Sequence, residues 1–440
     1  MKADLTQGNV ARVLVAFTVP LVLSGLFQQL FNWVDAFIVG NIVGESALAG
    51  IGATSSIYNL FVMVITGFTS GLSVLVAQKA GSGDEEASRG ILSTYGVVLT
   101  AVFLLVAILG MAFTGPLLSL MDTPDDIITH AQDYLRIIFL GIPFLALYNV
   151  YSAVLRGLGD SKAPFRAILV SSVANVVLDL VFVALFGWGT AGAALATVIA
   201  QAAMTLFIVV YALARMPVLR HRLGRGMVSF QALARGGAFG LPPALQSGAS
   251  SLGNVVLQQF MNGFGAQTVA AITTAYRVDT VILLPIVNLG SGIATVVAQN
   301  YGAGNEERSR SVLRTGLVMM SVVSLVLTAI VFLFGGQLIA LFGLEEATVA
   351  IGRGFFNRVA AFYIVYGLAM AFRGALEGRG DMLYSGIAGI LFLVVRIIGS
   401  YAMDDIFGNM VIAWAEAIAW IFLLLEFVVR YWYRTRRKPC

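Results

Sequence analysis

Apolar runs of about twenty residues or more recur along the chain, separated by short polar breaks. No other feature of the sequence constrains the fold so tightly. Twelve runs can be counted, near 14–40, 53–79, 90–113, 130–155, 164–186, 190–214, 236–262, 271–299, 311–335, 349–374, 383–406 and 409–431. Each is long enough to cross the ~30 Å hydrocarbon layer as a helix. Lipid offers no hydrogen-bond partners, so the backbone must satisfy itself within each span. Composition agrees: 59% of the 440 residues are hydrophobic and only 11% are charged, against about 25% charged in a soluble domain. The first run is too long for a signal peptide and carries no small-residue cleavage site, so no cleaved leader is expected. A lone Cys440 leaves no partner for an intrachain disulfide.

Basic residues set the orientation. Alternate loops, beginning with the N-terminus, hold 22 of the 27 Lys and Arg, from Lys2 and Arg12 to the tail with Arg430, Arg434, Arg436, Arg437 and Lys438. The other loops carry acids without bases: Glu45; Asp122, Asp125 and Asp126; Glu345 and Glu346; Asp404 and Asp405. The positive-inside rule then places both termini in the cytoplasm of a multi-pass cell-membrane (inner or plasma membrane) protein. The net charge of +4 is a topology signal, and no nucleic-acid partner is expected.

The chain also repeats itself. "SGLSVLVAQKAGSGDEEASRGIL" (70–92) aligns with "SGIATVVAQNYGAGNEERSRSVL" (291–313) at 12 identical positions of 23. The offset of 221 residues also aligns Gly157-Leu158-Gly159-Asp160 with Gly378-Arg379-Gly380-Asp381, and Phe186-Gly187 with Phe407-Gly408. Two homologous six-helix halves follow. An even helix number gives both the same orientation, hence a pseudo-two-fold axis along the membrane normal. The expected fold is an all-α integral membrane protein of twelve transmembrane helices, in two six-helix lobes around a central cleft. The lobes are expected at 1–214 and 236–440, joined by a basic cytoplasmic linker at 215–235. Paired bundles that rock about a cleft are the plan of secondary transporters. There is no GxxxxGK[ST] loop for an ATP engine, no HExxH or CxxC metal motif, and no nucleophile–base constellation for an enzyme.

Charges inside spans are expensive, roughly 2.5–3.5 kcal/mol each on insertion scales. Those away from segment ends are Asp35, Asp179, Arg277, Asp279, Arg358, Arg396 and Glu416. Each could be a structural pair or a ligand for substrate or ion. On the first helix Gln28, Asn32 and Asp35 share one face, as do Ser172, Asn175 and Asp179 on the fifth, and Thr197 and Gln201 on the sixth. At 1.5 Å per residue, Asp35 and Asp179 each lie about 10 Å, and Thr197 about 12 Å, below the outer ends of their helices. Two carboxylates, an amide and a hydroxyl at one level, without a base, repel in low dielectric. They need a proton, a hard cation or water, which describes a proton or Na+ site. The second half lacks this set: Asn175 corresponds to Arg396, Asp179 to Ser400 and Thr197 to Ile418. The depths of Arg396 and Glu416 allow a structural ion pair. Arg277 and Asp279, two residues apart, cannot face one another on a helix. Pro20 on the first helix and Pro242-Pro243 on the seventh occupy matching places. Each removes a backbone hydrogen bond, as a fixed kink or as a hinge.

The twelve-helix repeat, with "VDAFIVGNIVGESALAGIG", "VAQKAGSGDEEASR", "LRGLGDSKAP" and "AQNYGAGNEERSR", resembles the multidrug and toxic compound extrusion (MATE) family over nearly the whole chain. The resemblance implies an antiporter that exports mostly cationic, amphipathic compounds in exchange for H+ or Na+. Asp35, Asn175, Asp179 and Thr197 look like the N-lobe cation site of the DinF-like and archaeal branch. The C-lobe carboxylates of NorM-type sodium antiporters have no match. By the same resemblance Gln28, Asn149, Ser152 and Ser172 line the substrate chamber, with Asn32 on the Gln28 face. Pro20 is the candidate hinge. No cofactor beyond the coupling ion and no bound metal other than Na+ is expected, and the functional unit is expected to be a monomer. The alternative is a flippase for a lipid-linked precursor, which calls for a basic cavity; Arg277 and Arg396 are the residues that favour it.

Overall fold

The computed structural model describes residues 4–219 and 227–436. Part of the basic linker at 215–235 and the end of the tail, with Cys440, lie outside the described residues. Helices α1 (Val10–Ile42), α2 (Glu45–Gly81) and α3 (Glu85–Ala112) are followed by a short α4 (Thr114–Leu120). The fourth span is a bent pair, α5 (Asp125–Phe139) and α6 (Ile142–Gly157), 44° apart. Then come α7 (Lys162–Asp179), which runs on into a π-helical turn (Leu180–Leu185), and α8 (Gly189–Arg215). The second half begins with α9 (Phe230–Asn262) and a bent pair, α10 (Ala266–Ile282) and α11 (Leu284–Gly302), 41° apart. It continues with α12 (Glu306–Ala340), α13 (Glu346–Val359), α14 (Tyr363–Gly378), α15 (Met382–Ala402), a short α16 (Asp404–Phe407) and α17 (Val411–Arg436). Among the described residues nine helical stretches are long and apolar enough to cross a membrane, and the bent pairs bring the number to eleven. The twelfth is α9. It has the length, 33 residues, but Ser247, Ser250, Ser251, Asn254 and Gln258 make it more polar than the others.

The repeat motifs each have a physical task, and both halves perform it alike. Gly83 and Gly304 stand at φ +75° and +73°, left-handed conformations that a side chain would strain. The next residues, Asp84 and Asn305, cap α3 and α12 by accepting from the backbone N–H of Ala87 (3.0 Å) and Arg308 (2.9 Å). Such a cap satisfies a donor that the helix cannot reach itself. In the Gly-x-Gly-Asp motif the first glycine permits a close approach between helices. A Cβ on Gly157 would lie 2.7 Å from the Ser73 carbonyl, and one on Gly378 would lie 2.7 Å from that of Ala294. The second glycine makes the turn, with φ of +92° at Gly159 and +89° at Gly380. The aspartates then diverge. Asp160 caps α7 through the N–H groups of Lys162 and Ala163 and accepts from the Tyr211 hydroxyl at 2.8 Å. Asp381 instead takes both Arg430 (2.7 Å) and Arg434 (3.1 Å). Burial raises the Asp381 carboxyl, but the two guanidinium hydrogen bonds outweigh it and hold the group below the usual carboxylate range.

The helices pack into two compact units. One holds the described residues of Leu23–Gly240, the other Asp4–Val22 with those of Leu241–Cys440. Thus α1 and α9 each contribute a part to each unit, and each changes unit beside its proline, Pro20 or Pro242. In the first unit a small apolar cluster of Ile38, Val39, Ala47, Val183 and Ala193 joins α1, α2, the π turn and α8. The second unit's core is larger and includes Leu14, Phe17 and Leu21 from the first half of α1.

Candidate functional site

In the first unit α1, α5, α7 and α8 bring one polar layer together inside an apolar bundle. Asp179 ends α7 and is fully buried, at 0% exposure. The Asp35 carboxyl from α1 lies directly against it. Both Asp179 oxygens and Oδ1 of Asp35 are buried without a hydrogen-bond partner, and among the described residues no Lys or Arg pairs with either group. Two carboxylates in this setting cannot both stay ionised and bare, because desolvation and mutual repulsion act in the same direction. The apolar cluster closes the layer on one side. Ile38 and Val39 follow Asp35 by one turn, Val183 follows Asp179 by one turn, and Ala193 precedes Thr197 by one turn. Asp35, Asp179 and Thr197 therefore share a level, as their separate depths predicted.

Neutral hydrogen-bonding groups complete the layer. The Asn175 amide donates to the Thr197 hydroxyl at 3.4 Å, and that hydroxyl donates to the Ala193 carbonyl at 3.1 Å. Tyr134 on α5 is buried within reach of the charge on both carboxyls. Gln201 Nε2 donates to the Tyr58 hydroxyl at 2.7 Å. Gln201 sits over the bare α-carbon of Gly141, at the α5–α6 break; a Cβ there would lie 2.1 Å from Gln201 Oε1. Directly after Asp179 the backbone shifts to an i→i−5 pattern, with Phe186 N–H bonding to the Val181 carbonyl at 2.9 Å. Such π turns insert an extra residue into the helix and are frequent at functional sites.

Tyr58 and Tyr134 were not singled out by the charge pattern, because tyrosine carries none. The available signals were local. Tyr58 belongs to a polar run, Ser55-Ser56-Ile57-Tyr58-Asn59, inside an apolar span, and Tyr134 shares the buried face of α5 with Ala131, Leu135 and Ile138. The residues expected to line a substrate chamber divide. Gln28 and Asn32 are exposed on α1, whereas Asn149, Ser152 and Ser172 are buried. The Asn149 amide donates to its own helix at Leu145, 2.8 Å. Pro20 lies within an unbroken α1.

The second unit holds a different layer at corresponding helices. Arg396 and Glu416 form a buried ion pair at 2.6 Å, tied by the Tyr276 hydroxyl, which accepts from Arg396 (2.7 Å) and donates to Glu416 (3.3 Å). Asp279 is buried and accepts from the Tyr363 hydroxyl. The first unit thus sets like charges against one another where the second sets opposite charges.

A family model described as MatE matches residues 20–181 and 242–402, one stretch in each half of the repeat. The chain is 31% identical over 419 residues to the probable multidrug resistance protein YpnP of Bacillus subtilis strain 168, covering 94% of this chain and 91% of that one. It is 29% identical over 445 residues to the probable multidrug resistance protein YoeA of the same strain, covering 96% and 95%. Its fold is similar to a solved outward-facing multidrug resistance MATE transporter of the MOP superfamily, with TM-score 0.91, 21% identity, and coverage of 98% of this chain and 97% of that one.

Proposed function

This chain belongs to the MatE family, and from that premise we propose that it is a secondary active multidrug efflux antiporter. It exports amphipathic, mostly cationic small molecules in exchange for H+ or Na+ by alternating access. Two relatives that align along nearly its whole length bear multidrug-resistance names, which supports the substrate class. The observation that carries the coupling is the Asp35–Asp179 pair, the first half-buried with its Oδ1 out of solvent and the second fully buried, which has no counter-charge among the described residues. One shared proton satisfies two carboxyls in direct contact. Na+ would recruit the neighbouring oxygens of Asn175 and Thr197 as further ligands. Either ion removes the repulsion between α1 and α7 and permits them to repack. The first half of α1, carrying Pro20, belongs to the other unit, so a change at Asp35 is passed along one helix past a missing backbone hydrogen bond. That makes Pro20 the hinge, with Gln28 and Asn32 on the intervening stretch in contact with the exported compound.

Purified protein in liposomes, driven by an imposed ΔpH or ΔNa+, tests this reading. Export driven by the coupling ion should fall at least ~10-fold in Asp35→Asn and Asp179→Asn, equivalent to about 1.4 kcal/mol or more on the transport barrier. Pro20→Ala should slow turnover without lowering the melting temperature. Wild-type rates in both aspartate variants would remove the site from the mechanism. The gradient that drives the wild type names the ion.

A further inference from the structure

The Asp35–Asp179 layer leaves intramembrane charges unexplained: Arg358, which donates to its own helix at the Gly354 carbonyl, 2.7 Å, and Arg277. Arg277 projects from α10 of the second unit and is exposed. Among the described residues it has no ion pair, hydrogen bond or aromatic partner. Asp279 does not neutralise it. Two residues further on, it faces the opposite side of the helix, is buried, and is engaged by Tyr363. Arg277 comes eleven residues after Ala266, where α10 begins, about 16 Å along the helix. That is close to half the ~30 Å hydrocarbon thickness, too deep for the side chain to snorkel to the nearer surface.

A free guanidinium at this depth stands either in lipid, at a cost of several kcal/mol, or in water. The rest of α10 decides between them. No large apolar side chain of Ala266–Ile282 is exposed. Helices α12 and α15 do expose such rows, through Val318, Val322 and Leu325 and through Leu383, Ile387 and Leu391, as lipid-facing helices must. The strip that carries Arg277 at helical spacing is instead Ala266, Ala270, Thr273, Arg277 and Thr280. Thr280 is exposed, and Oγ1 of Thr273 is buried without a partner. This face of α10 lacks the apolar side chains that a lipid-facing helix exposes, and among the described residues its charge has no partner.

We propose that Arg277, flanked by Thr273 and Thr280, is an anion-binding subsite on the transport path, and that the exported compounds include amphipathic molecules carrying a carboxylate, phosphate or sulfonate group. The inference rests on the export reading above and adds to its substrate class: compounds with a cationic or apolar body and an anionic group are taken beside the purely cationic ones. A guanidinium suits this task because its planar fork binds such anions through two parallel hydrogen bonds. The same chemistry would fit a lipid phosphate.

Two dyes of one skeleton separate the charges: tetramethylrhodamine methyl ester, a cation, and tetramethylrhodamine free acid, a zwitterion with a carboxylate. Binding to purified protein in phosphatidylcholine nanodiscs is read by fluorescence polarisation, and export in liposomes is read in parallel. In Arg277→Gln the free acid should bind at least ~10-fold more weakly while the ester is unchanged or tighter. Arg277→Lys should recover part of the loss, and both variants should melt with the wild type. Adding phosphatidylglycerol to the nanodiscs identifies the source of the anion. No competition with the free acid assigns the subsite to the solute; competition assigns it to a lipid headgroup and overturns the claim about the exported compounds. Equal affinities of the free acid for wild type and Arg277→Gln, or an equal loss for both dyes, overturn the subsite and leave export standing. A wild type that exports neither dye overturns the export reading and the subsite with it.

Discussion

At the residue scale, the two units answer the same problem in opposite ways. Asn175 and Arg396 occupy corresponding places in the repeat, but Arg396 brings its own counter-ion, Glu416, at 2.6 Å, whereas the first unit sets Asp179 against Asp35. An ion pair already satisfied has little reason to exchange its charges, and this one serves as a structural clamp among α10, α15 and α17 through Tyr276. Removing one partner strands the other. Arg396→Ala or Glu416→Ala should each destabilise the protein by about 3–5 kcal/mol, while Arg396→Met with Glu416→Leu should recover most of that loss. Thermal melting of the purified variants checks this; a double variant as unstable as the sum of the singles would show that the polar groups do more than pair. The charges of this layer were legible as types and depths. That Tyr58 and Tyr134 complete the first unit's layer was not, because an uncharged hydroxyl in an apolar span looks the same whether it faces a site or its own backbone.

At the element scale, glycine decides which helices approach. In the first unit α2 crosses α9 so closely that a Cβ on Gly71 would lie 2.0 Å from the Phe239 carbonyl oxygen, and one on Gly240 would lie 2.8 Å from the Phe68 ring. The repeat places the same crossing in the second unit, where Gly292 of α11 meets Thr18 of α1, with a Cβ-to-Oγ1 separation of 2.4 Å. The obstacles differ. A backbone carbonyl in a helix cannot turn aside, but a threonine hydroxyl can change rotamer. Gly71→Ala should therefore cost more than Gly292→Ala, on the order of 2–3 kcal/mol against about 1, in melting temperature and in the fraction of monodisperse protein. Equal costs would mean that the α2–α9 crossing opens more readily than its spacing suggests. Both glycines lie in the Ser-Gly pairs that begin the aligned repeat segments, so the motif was visible beforehand. Its purpose was not, since the sequence does not say which helix passes over it.

At the scale of the whole molecule, loop charge predicts both termini on the cytoplasmic side. A green fluorescent protein fused to the C-terminus should fluoresce in a bacterial host, and an alkaline phosphatase fused there should be inactive; the reverse would invert the topology and the direction of every depth used above. Hydrophobic run length determined that the chain is helical and membrane-spanning, because lipid forbids unpaired backbone. The 221-residue repeat determined that there are two similar halves, because one register held across separate motifs. Helical periodicity placed Asp35, Asn175, Asp179 and Thr197 on defined faces and at one level. What only the tertiary structure decided is which of those faces meet: that Asp35 and Asp179 touch, that Arg396 closes on Glu416, and that Arg277 is left exposed beside a buried Asp279. It also decided that α1 and α9 divide between units beside their prolines. Periodicity fixes a side chain's direction about its own helix axis, but partners are chosen by helix crossings, and those depend on close packing between segments far apart in the chain.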